Sequence, residues 1–403
     1  MHQDIDFSDL FFGSRLNGKN ITLCVSGGIA AYKSIELLRS FQKSGAKVRV
    51  VMSKMATQFV GEETFSSLTG QKVLIDFEGM EHITLPHSSD LIVVAPATAN
   101  VIAKFANGIC DTMLTTILIS STCPIVFVPS MNWAMLHNPI TQENIQKIKR
   151  LGHIVVQPDE GDLACGERGE GKFPSLDKIL FHCEYALSQK RFSNKKVVIT
   201  AGPTKEYIDD VRFISNPSSG FMGYVLSWES ALEGAETYLV TGGNTFGAEK
   251  IINTKKVEST DDMLSEVRKL IPTDVFIGSA AVSDFKPSKK VKGKIKKEDT
   301  QKMTIELTRT PDILESAREY TKILVGFSLE SDDIEKNTVY KMKRKRMDMI
   351  VGNTPESFSK SSGNYFIGYN TPEGIRIDKL GNIHKRKLAQ KIIDKVIEIW
   401  NYL

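Results

Sequence analysis

Short apolar runs recur along this chain with helical segments between them, and they do so in two separate series. The first series is Ile21–Val25, Val48–Met52, Leu91–Ala95, Ile125–Pro129 and His153–Val156, with helical stretches such as Ile29–Lys43 and Thr141–Leu151 in between. The second is Val197–Thr200, Thr237–Val240, Asp274–Gly278, Ile323–Phe327 and Met349–Val351. A strand that is apolar along its whole length is buried on both faces, the environment of a parallel sheet covered by helices. The polar stretch Ser188–Lys196 divides the two series. The expectation is an α/β protein of two Rossmann-like domains, 1–190 and 191–403, each a mostly parallel sheet flanked by helices. Asn364–Asn382 reads as an antiparallel hairpin and Lys385–Tyr402 as a closing helix. A chain of 403 residues has room for two cores.

Composition narrows the class. Charged residues make up 25% and hydrophobic ones 41%, ordinary values for a soluble globular protein. A net charge of +4 implies no general affinity for nucleic acid. No apolar stretch approaches a membrane span. The segment Met1–Asn17, with Asp4, Asp6 and Asp9, lacks the basic-then-apolar pattern of a signal peptide. The five cysteines, at 24, 110, 123, 165 and 183, are odd in number and show no metal-like spacing. Reduced thiols in a cytoplasmic compartment follow as the expectation. All but Cys165 read as packing residues.

Two patches of the first half carry chemistry. Pro129-Ser130-Met131-Asn132-Trp133-Ala134-Met135 follows a buried run, so Asn132 falls at a strand's carboxyl end, where open α/β sheets bind ligands. Gly161-Asp162-Leu163-Ala164-Cys165-Gly166 sets a thiol in a glycine-bracketed loop. An amide to orient a ligand and a thiol to give a proton point to an active site, although Asn132 also fits a plain Asx turn. Upstream, Ser26-Gly27-Gly28 lies at a strand-to-helix turn whose N–H groups suit a phosphate. A dinucleotide site asks for Gly-x-Gly-x-x-Gly and an acid about 20 residues on. Here the second strand ends Met52-Ser53-Lys54, a hydroxyl and a cation, which suits a mononucleotide such as FMN better than NAD.

In the second half, Thr200-Ala201-Gly202-Pro203-Thr204 precedes Asp209-Asp210-Val211-Arg212-Phe213-Ile214-Ser215-Asn216-Pro217-Ser218-Ser219-Gly220, a second anion site. Gly278-Ser279-Ala280-Ala281-Val282-Ser283-Asp284-Phe285 ends a buried strand in small residues that let a nucleotide approach the backbone. A lysine run from Lys286 to Lys297 follows. A solvated loop and a nucleic-acid patch are the alternatives for that run, and no aromatic interleaving supports the latter. Lys341 and Lys345, four apart, share one face of a helix.

Taken in order, Ser26–Lys33, Ala95–Asn100, the Pro-Ser-Met-Asn patch and the Ala-Cys-Gly loop resemble the flavin-containing cysteine decarboxylases, phosphopantothenoylcysteine decarboxylase in particular. The second half resembles that enzyme's usual fusion partner, phosphopantothenate–cysteine ligase. From about Asn20 onward, the chain resembles the bifunctional family of coenzyme A synthesis that joins the two activities.

For the first half this resemblance implies FMN, with Ser26, Gly27, Gly28, Ser53, Thr98 and Asn100 as its contacts. It makes His82 the active-site histidine, and an imidazole titrates where a base is useful at neutral pH. It has Asn132 bind the substrate carboxylate with Met135 nearby, and Cys165 donate a proton. The implied chemistry oxidises the thiol-bearing carbon of 4′-phosphopantothenoylcysteine to a thioaldehyde, releases carbon dioxide, and reduces the resulting enethiol to 4′-phosphopantetheine.

For the second half it implies that 4′-phosphopantothenate is activated by CTP as an acyl-cytidylate and then joined to cysteine. Arg212 and Asn216 match positions near the phosphopantothenate and the acyl intermediate. Gly278, Ser279, Ala280, Asp284, Lys294, Pro311, Asp312, Ile313, Leu314, Phe327, Lys341 and Lys345 match nucleotide contacts, and the resemblance makes the lysine run a mobile lid whose Lys294 neutralises the triphosphate of CTP. Mg²⁺ is expected with the triphosphate, with no protein ligand assigned. A homo-oligomer is also implied, built from decarboxylase trimers and ligase dimers and reaching a dodecamer. Two positions depart from the family pattern. Asp210 stands where proline is usual, and Phe221 stands where a lysine or arginine follows Ser-Ser-Gly. The rival readings are a nicotinamide-dependent oxidoreductase and a nucleic-acid-binding protein.

Overall fold

The computed structural model describes residues 11–162, 166–296, 302–329, 334–353 and 360–402. The chain divides into two compact units, Gly13–Gln189 and Lys190–Leu403, with Phe12 grouped with the second.

The first unit is built on one parallel sheet. Its strands are β1 (Asn20–Val25), β2 (Lys47–Met52), β3 (Leu91–Ala97), β4 (Ile125–Pro129) and β5 (Ile154–Val155), in the spatial order β2-β1-β3-β4-β5. Every residue of β3 and β4 is buried, as their unbroken apolar sequences require. The helices are α1 (Lys33–Lys43), α2 (Glu62–Thr69), α3 (Glu81–Ser88), α4 (Ala99–Ala106), α5 (Met113–Ile119), α6 (Trp133–Leu136), α7 (Pro139–Arg150) and α8 (Leu176–Ala186). Amphipathic patterning places them: α1 turns Leu37, Leu38 and Phe41 inward and α4 turns Val101, Ile102 and Phe105. Because the sheet grows outward from β1 in one direction and then from β3 in the other, a crevice opens between the carboxyl ends of these two strands. An antiparallel hairpin, β6 (Asp159–Asp162) and β7 (Arg168–Lys172), stands beside the main sheet. Of the four cysteines described, Cys24 and Cys183 are buried, and burial pushes both thiols well up. Cys110 corrects the packing expectation. It is exposed, because it lies in the connection between α4 and α5 rather than on a helix face.

The second unit carries an eight-stranded sheet and two small hairpins. Its strands are β8 (Lys196–Ala201), β9 (Lys205–Tyr207), β10 (Phe213–Ser215), β11 (Glu236–Thr241), β12 (Asn253–Lys256), β13 (Thr273–Gly278), β14 (Phe285–Pro287), β15 (Leu307–Arg309), β16 (Thr321–Leu329), β17 (Met349–Asn353), β18 (Ser362–Thr371) and β19 (Gly374–His384). The main sheet runs β12-β11-β8-β13-β16-β17-β18-β19. Its first six strands are parallel, and β18 and β19 extend it antiparallel as the expected hairpin. The parallel part grows outward from β8 on one side and from β13 on the other, which is the doubly wound Rossmann order with its switch point at β8/β13. The helices are α9 (Phe221–Leu232), α10 (Thr260–Leu270), α11 (Ile313–Arg318), α12 (Ile334–Lys345) and α13 (Lys385–Trp400). The last of these is tied to α9 by a buried ion pair, Arg386 Nε to Glu229 Oε1 at 3.1 Å.

Candidate active sites

In the first unit the β1/β3 crevice is organised by two hydroxyls. Ser26, just after β1, donates from Oγ to the Pro96 carbonyl at 2.7 Å, and its Oγ accepts from the Thr98 N–H at 3.1 Å. The two side-chain oxygens, Ser26 Oγ and Thr98 Oγ1, lie 3.2 Å apart. Gly27 is required by close approach, since a Cβ there would fall 2.3 Å from Met55 Cγ. Neither Gly28 nor Thr98 caps the helix it starts with a side chain, so first-turn N–H groups at both strand ends are available to an anion. Asn100 is exposed in the first turn of α4. Ser53 is joined to β1 through its N–H to Val25 O at 3.0 Å, and its Oγ accepts from the Ala56 N–H at 3.2 Å. Ile29, Tyr32 and Met55 are exposed apolar side chains, more than half accessible. Sequence reasoning passed over all three, although an exposed isoleucine directly after Gly-Gly is a usable signal.

Asn132 caps α6. Its Oδ1 accepts from the Ala134 N–H at 2.8 Å, the Asx geometry, while its Nδ2 donates to Glu167 Oε2 at 2.8 Å. The hairpin strand β7 is pinned to the same loop. Met131 N–H donates to Gly171 O at 3.1 Å, and a Cβ on Gly171 would stand 2.1 Å from Met131 O. His137, stacked on Trp133 with centroids 4.7 Å apart, reaches Glu170 at 3.2 Å. The hairpin is therefore anchored beside Asn132 at Glu167 and Gly171; Cys165 lies outside the described residues. Met135, in α6, is half exposed. His82 is the second residue of α3, not a strand neighbour. Its contacts are Ser120, which donates to its carbonyl at 2.8 Å, and the Phe77 ring at 5.6 Å, rather than the Ser26–Thr98 crevice. Its Nδ1 is buried with no hydrogen-bond partner.

In the second unit a cavity of about 1130 Å³ opens at the β8/β13 switch point. Ser279 closes its floor, donating from both N–H and Oγ to Thr200 O at 3.1 and 2.7 Å. Gly278 lets α11 approach, because a Cβ would meet Leu314 Cδ2 at 2.6 Å. The cavity gathers Asn216, Gly278, Ser279, Ala280, Asp284, Pro311, Asp312, Ile313, Leu314, Phe327, Lys341 and Lys345. Asn216 is held by Nδ2 bonds to Ala281 O and Val282 O at 3.2 and 3.0 Å. Lys345 pairs with Asp312 at 2.6 Å, and Asp312 Oδ1 also caps α11 through the Glu315 N–H. Arg309, Arg344 and Lys385 add cations that sequence reasoning missed; Arg344 was legible as the i+3 neighbour of Lys341. The lining carries more cations than carboxylates, a balance that suits a polyphosphate.

Arg212 and Lys294 are not in that lining. They meet instead around a second hollow of about 540 Å³, with Ile295 and Lys296. Phe221 is fully buried against Phe246 and Tyr224, with centroids 5.5 and 6.3 Å away, so it serves the core under the Ser-Ser-Gly turn. Among the described residues no group of three or more His, Cys, Asp or Glu is placed to hold a metal ion. No described helix is long and apolar enough to cross a membrane.

Comparison with known proteins follows the same division. Residues 13–184 match the Flavoprotein family, and residues 192–399 match the DNA/pantothenate metabolism flavoprotein C-terminal domain. The coenzyme A biosynthesis bifunctional protein CoaBC of Bacillus subtilis is 41% identical over 351 residues, 84% of this chain and 86% of that protein. The chain belongs to the CoaBC family. The CoaBC protein of Borreliella burgdorferi is 35% identical over 387 residues, 93% of this chain and 98% of its own. A crystal structure of the C-terminal domain of a CoaBC protein aligns with 53% of this chain and 100% of its own at 30% identity, TM-score 0.44.

Proposed function

We propose that the two units act in series on one intermediate, the second as a CTP-dependent phosphopantothenate–cysteine ligase and the first as an FMN-dependent phosphopantothenoylcysteine decarboxylase. The observation that carries this reading is a ligand-competent switch point in each unit: the Ser26–Thr98 crevice in one and the cation-rich Thr200–Ser279 cavity in the other.

In the ligase, a carboxylate oxygen of 4′-phosphopantothenate attacks the α-phosphorus of CTP and pyrophosphate leaves. The amine of cysteine then attacks the acyl carbon, CMP leaves, and an amide remains. No protein group forms a bond, so positioning and charge neutralisation supply the rate. Lys341, Arg344 and Lys345 on α12, with Arg309, face the phosphates, and the Asp312–Lys345 pair fixes the start of α11 against them. Mg²⁺ would travel on the triphosphate oxygens.

The first crevice fits FMN. The Thr98 hydroxyl, set in place by Ser26, and the uncapped helix starts at Gly28 and Thr98 suit its phosphate, and the exposed Ile29, Tyr32 and Met55 suit its ring. When bound, the flavin supplies oxidation of the thiol-bearing carbon, which makes loss of carbon dioxide feasible. Asn132, oriented by Glu167, holds the substrate carboxylate. His82, which within one chain contacts Ser120 and Phe77 and not this crevice, serves as the base where a homo-oligomer brings its imidazole to the site, and Cys165 delivers a proton to the product carbon. The exposed apolar Phe77, Met80 and Ile83 around His82 support a homo-oligomer that covers this face. The odd cysteine count supports a cytoplasmic enzyme. Visible absorbance of the purified protein tests the first half, and pyrophosphate release that needs both CTP and 4′-phosphopantothenate tests the second. Colourless protein that binds no added FMN would remove the decarboxylase reading.

A further inference from the structure

The lysine run after β14 is not a free solvated loop. Val291 N–H donates to Ile208 O at 2.9 Å, and Asp210 N–H donates to Gly293 O at 3.4 Å. Gly293 N–H returns a bond of 2.7 Å to Asp210 Oδ2, and Ile295 N–H donates to Asp209 Oδ2 at 3.1 Å. Arg212 Nη1 donates to both Asp209 Oδ2 and Ile295 O, at 2.9 and 3.2 Å. Lys290 Nζ stands 3.1 Å from Asp210 Oδ1 and 5.2 Å from the centre of the Tyr207 ring. Residues 290–295 thus lie as a strap along 207–212.

The two aspartates do different work in this arrangement. Asp209 is fully buried, and three of its bonds go to the N–H groups of Val211 and Arg212 and to the Arg212 guanidinium. Asp210 is half exposed, and its side-chain bonds go to the strap at Lys290 and Gly293. The first builds the loop and holds the strap at Ile295, and the second holds the strap at Gly293 and Lys290. Lys294 sits between Gly293 and Ile295, both bonded to this loop, and it lines the hollow it shares with Arg212. Where the Lys294 ammonium stands is therefore set by whether the strap is fastened.

We infer that Asp210 is a positioning residue of the ligase, latching the strap so that Lys294 and Arg212 face one anionic group. The inference rests on the ligase reading of this unit for its kinetic consequence, but not for the latch itself. The Asp210–Lys290 pair is about half exposed on both sides, so salt weakens it. The latch is accordingly sensitive to ionic strength.

Full-length wild type, Asp210→Ala and Asp210→Asn give the test. Trypsin cleavage at Lys290, Lys292 and Lys294 without nucleotide, followed by mass spectrometry, reads strap docking. Asp210→Ala should be cut about fivefold faster, the upper weight of a half-exposed ion pair. Relative to a free reference peptide, wild-type cleavage should accelerate between about 50 and 500 mM NaCl, across which screening shortens severalfold, while both variants stay flat. In pyrophosphate release, Asp210→Ala should raise the KM for CTP by a similar factor with kcat within about twofold, and Asp210→Asn should fall between. Unchanged cleavage together with unchanged KM overturns the latch, as does a fall in kcat at constant KM. A wild type that releases no pyrophosphate sinks the ligase reading instead, and the cleavage comparison still decides the latch.

Discussion

The side-chain amide of Asn132 donates to the Glu167 carboxylate at 2.8 Å, so one hydrogen bond links the loop after β4 to the residue that leads into β7. The same amide caps α6 through Oδ1, which leaves the group held at both ends. A ligand carboxylate approaching Asn132 meets a donor whose direction is already fixed.

Glu167→Ala should therefore lower kcat/KM for decarboxylation by about tenfold, the value of a hydrogen bond to a charged group near 1.4 kcal/mol. Ligase turnover should not change. Carbon dioxide release from 4′-phosphopantothenoylcysteine measures it, and a wild-type rate would remove Glu167 from the site.

Cys165→Ser should lose the final protonation while keeping the earlier step. Carbon dioxide should still be released and 4′-phosphopantetheine should not accumulate, as read by mass spectrometry of the product. A full yield of 4′-phosphopantetheine would show that another group donates the proton.

Phe221, where the resembling family carries a cation, is about 1% exposed among Phe246, Tyr224 and the start of α9. Phe221→Ala should cost about 3–5 kcal/mol of stability in urea unfolding, the range for a buried aromatic. Phe221→Leu should cost much less and leave the KM for CTP unaltered. A change in KM with no change in stability would return this position to ligand contact.

Burial opposes ionisation of Asp209, but N–H donors from Arg212, Val211 and Ile295, with the Arg212 charge, outweigh it and hold the carboxyl at about 2, below the ordinary 3.8. A carboxyl whose folded value is depressed stabilises the folded state fully above its unfolded value and loses that contribution as pH falls through the folded one. The urea midpoint of the second unit should thus fall between about pH 4 and pH 2 more steeply in wild type than in Asp209→Asn. Parallel curves would take Asp209 out of the acid response.

Both sheets were legible because buried parallel strands need unbroken apolar runs, and Leu91–Ala97 and Ile125–Pro129 supply them. The β6–β7 hairpin was not. Asp-Glu-Gly-Asp and Arg-Gly-Glu-Gly-Lys contain no β-branched or aromatic residue, and their pairing depends on long-range anchors such as Met131 to Gly171. The lysine run was legible as a candidate nucleotide lid, but not its seat along 207–212, because charge patterning carries no record of backbone partners; Asp210, noted only as a departure from a family pattern, is bonded to it at Gly293 and Lys290. The helix α3 that carries His82 was not legible, because its internal Pro86 and weak apolar periodicity hide it. Most of the expected nucleotide positions line one cavity, from the end of β13, the start of α11, Phe327 on β16 and Lys341 and Lys345 on α12, whereas Lys294 lines a separate hollow.

Lys294→Gln should lower kcat/KM for CTP in pyrophosphate release by at least about tenfold, chiefly through KM, as loss of one cation facing an anionic ligand does. Decarboxylation of supplied 4′-phosphopantothenoylcysteine should continue at the wild-type rate. An unaltered kcat/KM would remove Lys294 from the nucleotide site.

Purified protein given 4′-phosphopantothenate, cysteine, CTP and Mg²⁺ in one vessel decides whether the two units work in series. The expected outcome is yellow protein that forms 4′-phosphopantetheine, with pyrophosphate and carbon dioxide released in equal amounts. Pyrophosphate without carbon dioxide after FMN has been added, or neither product at all, would contradict it.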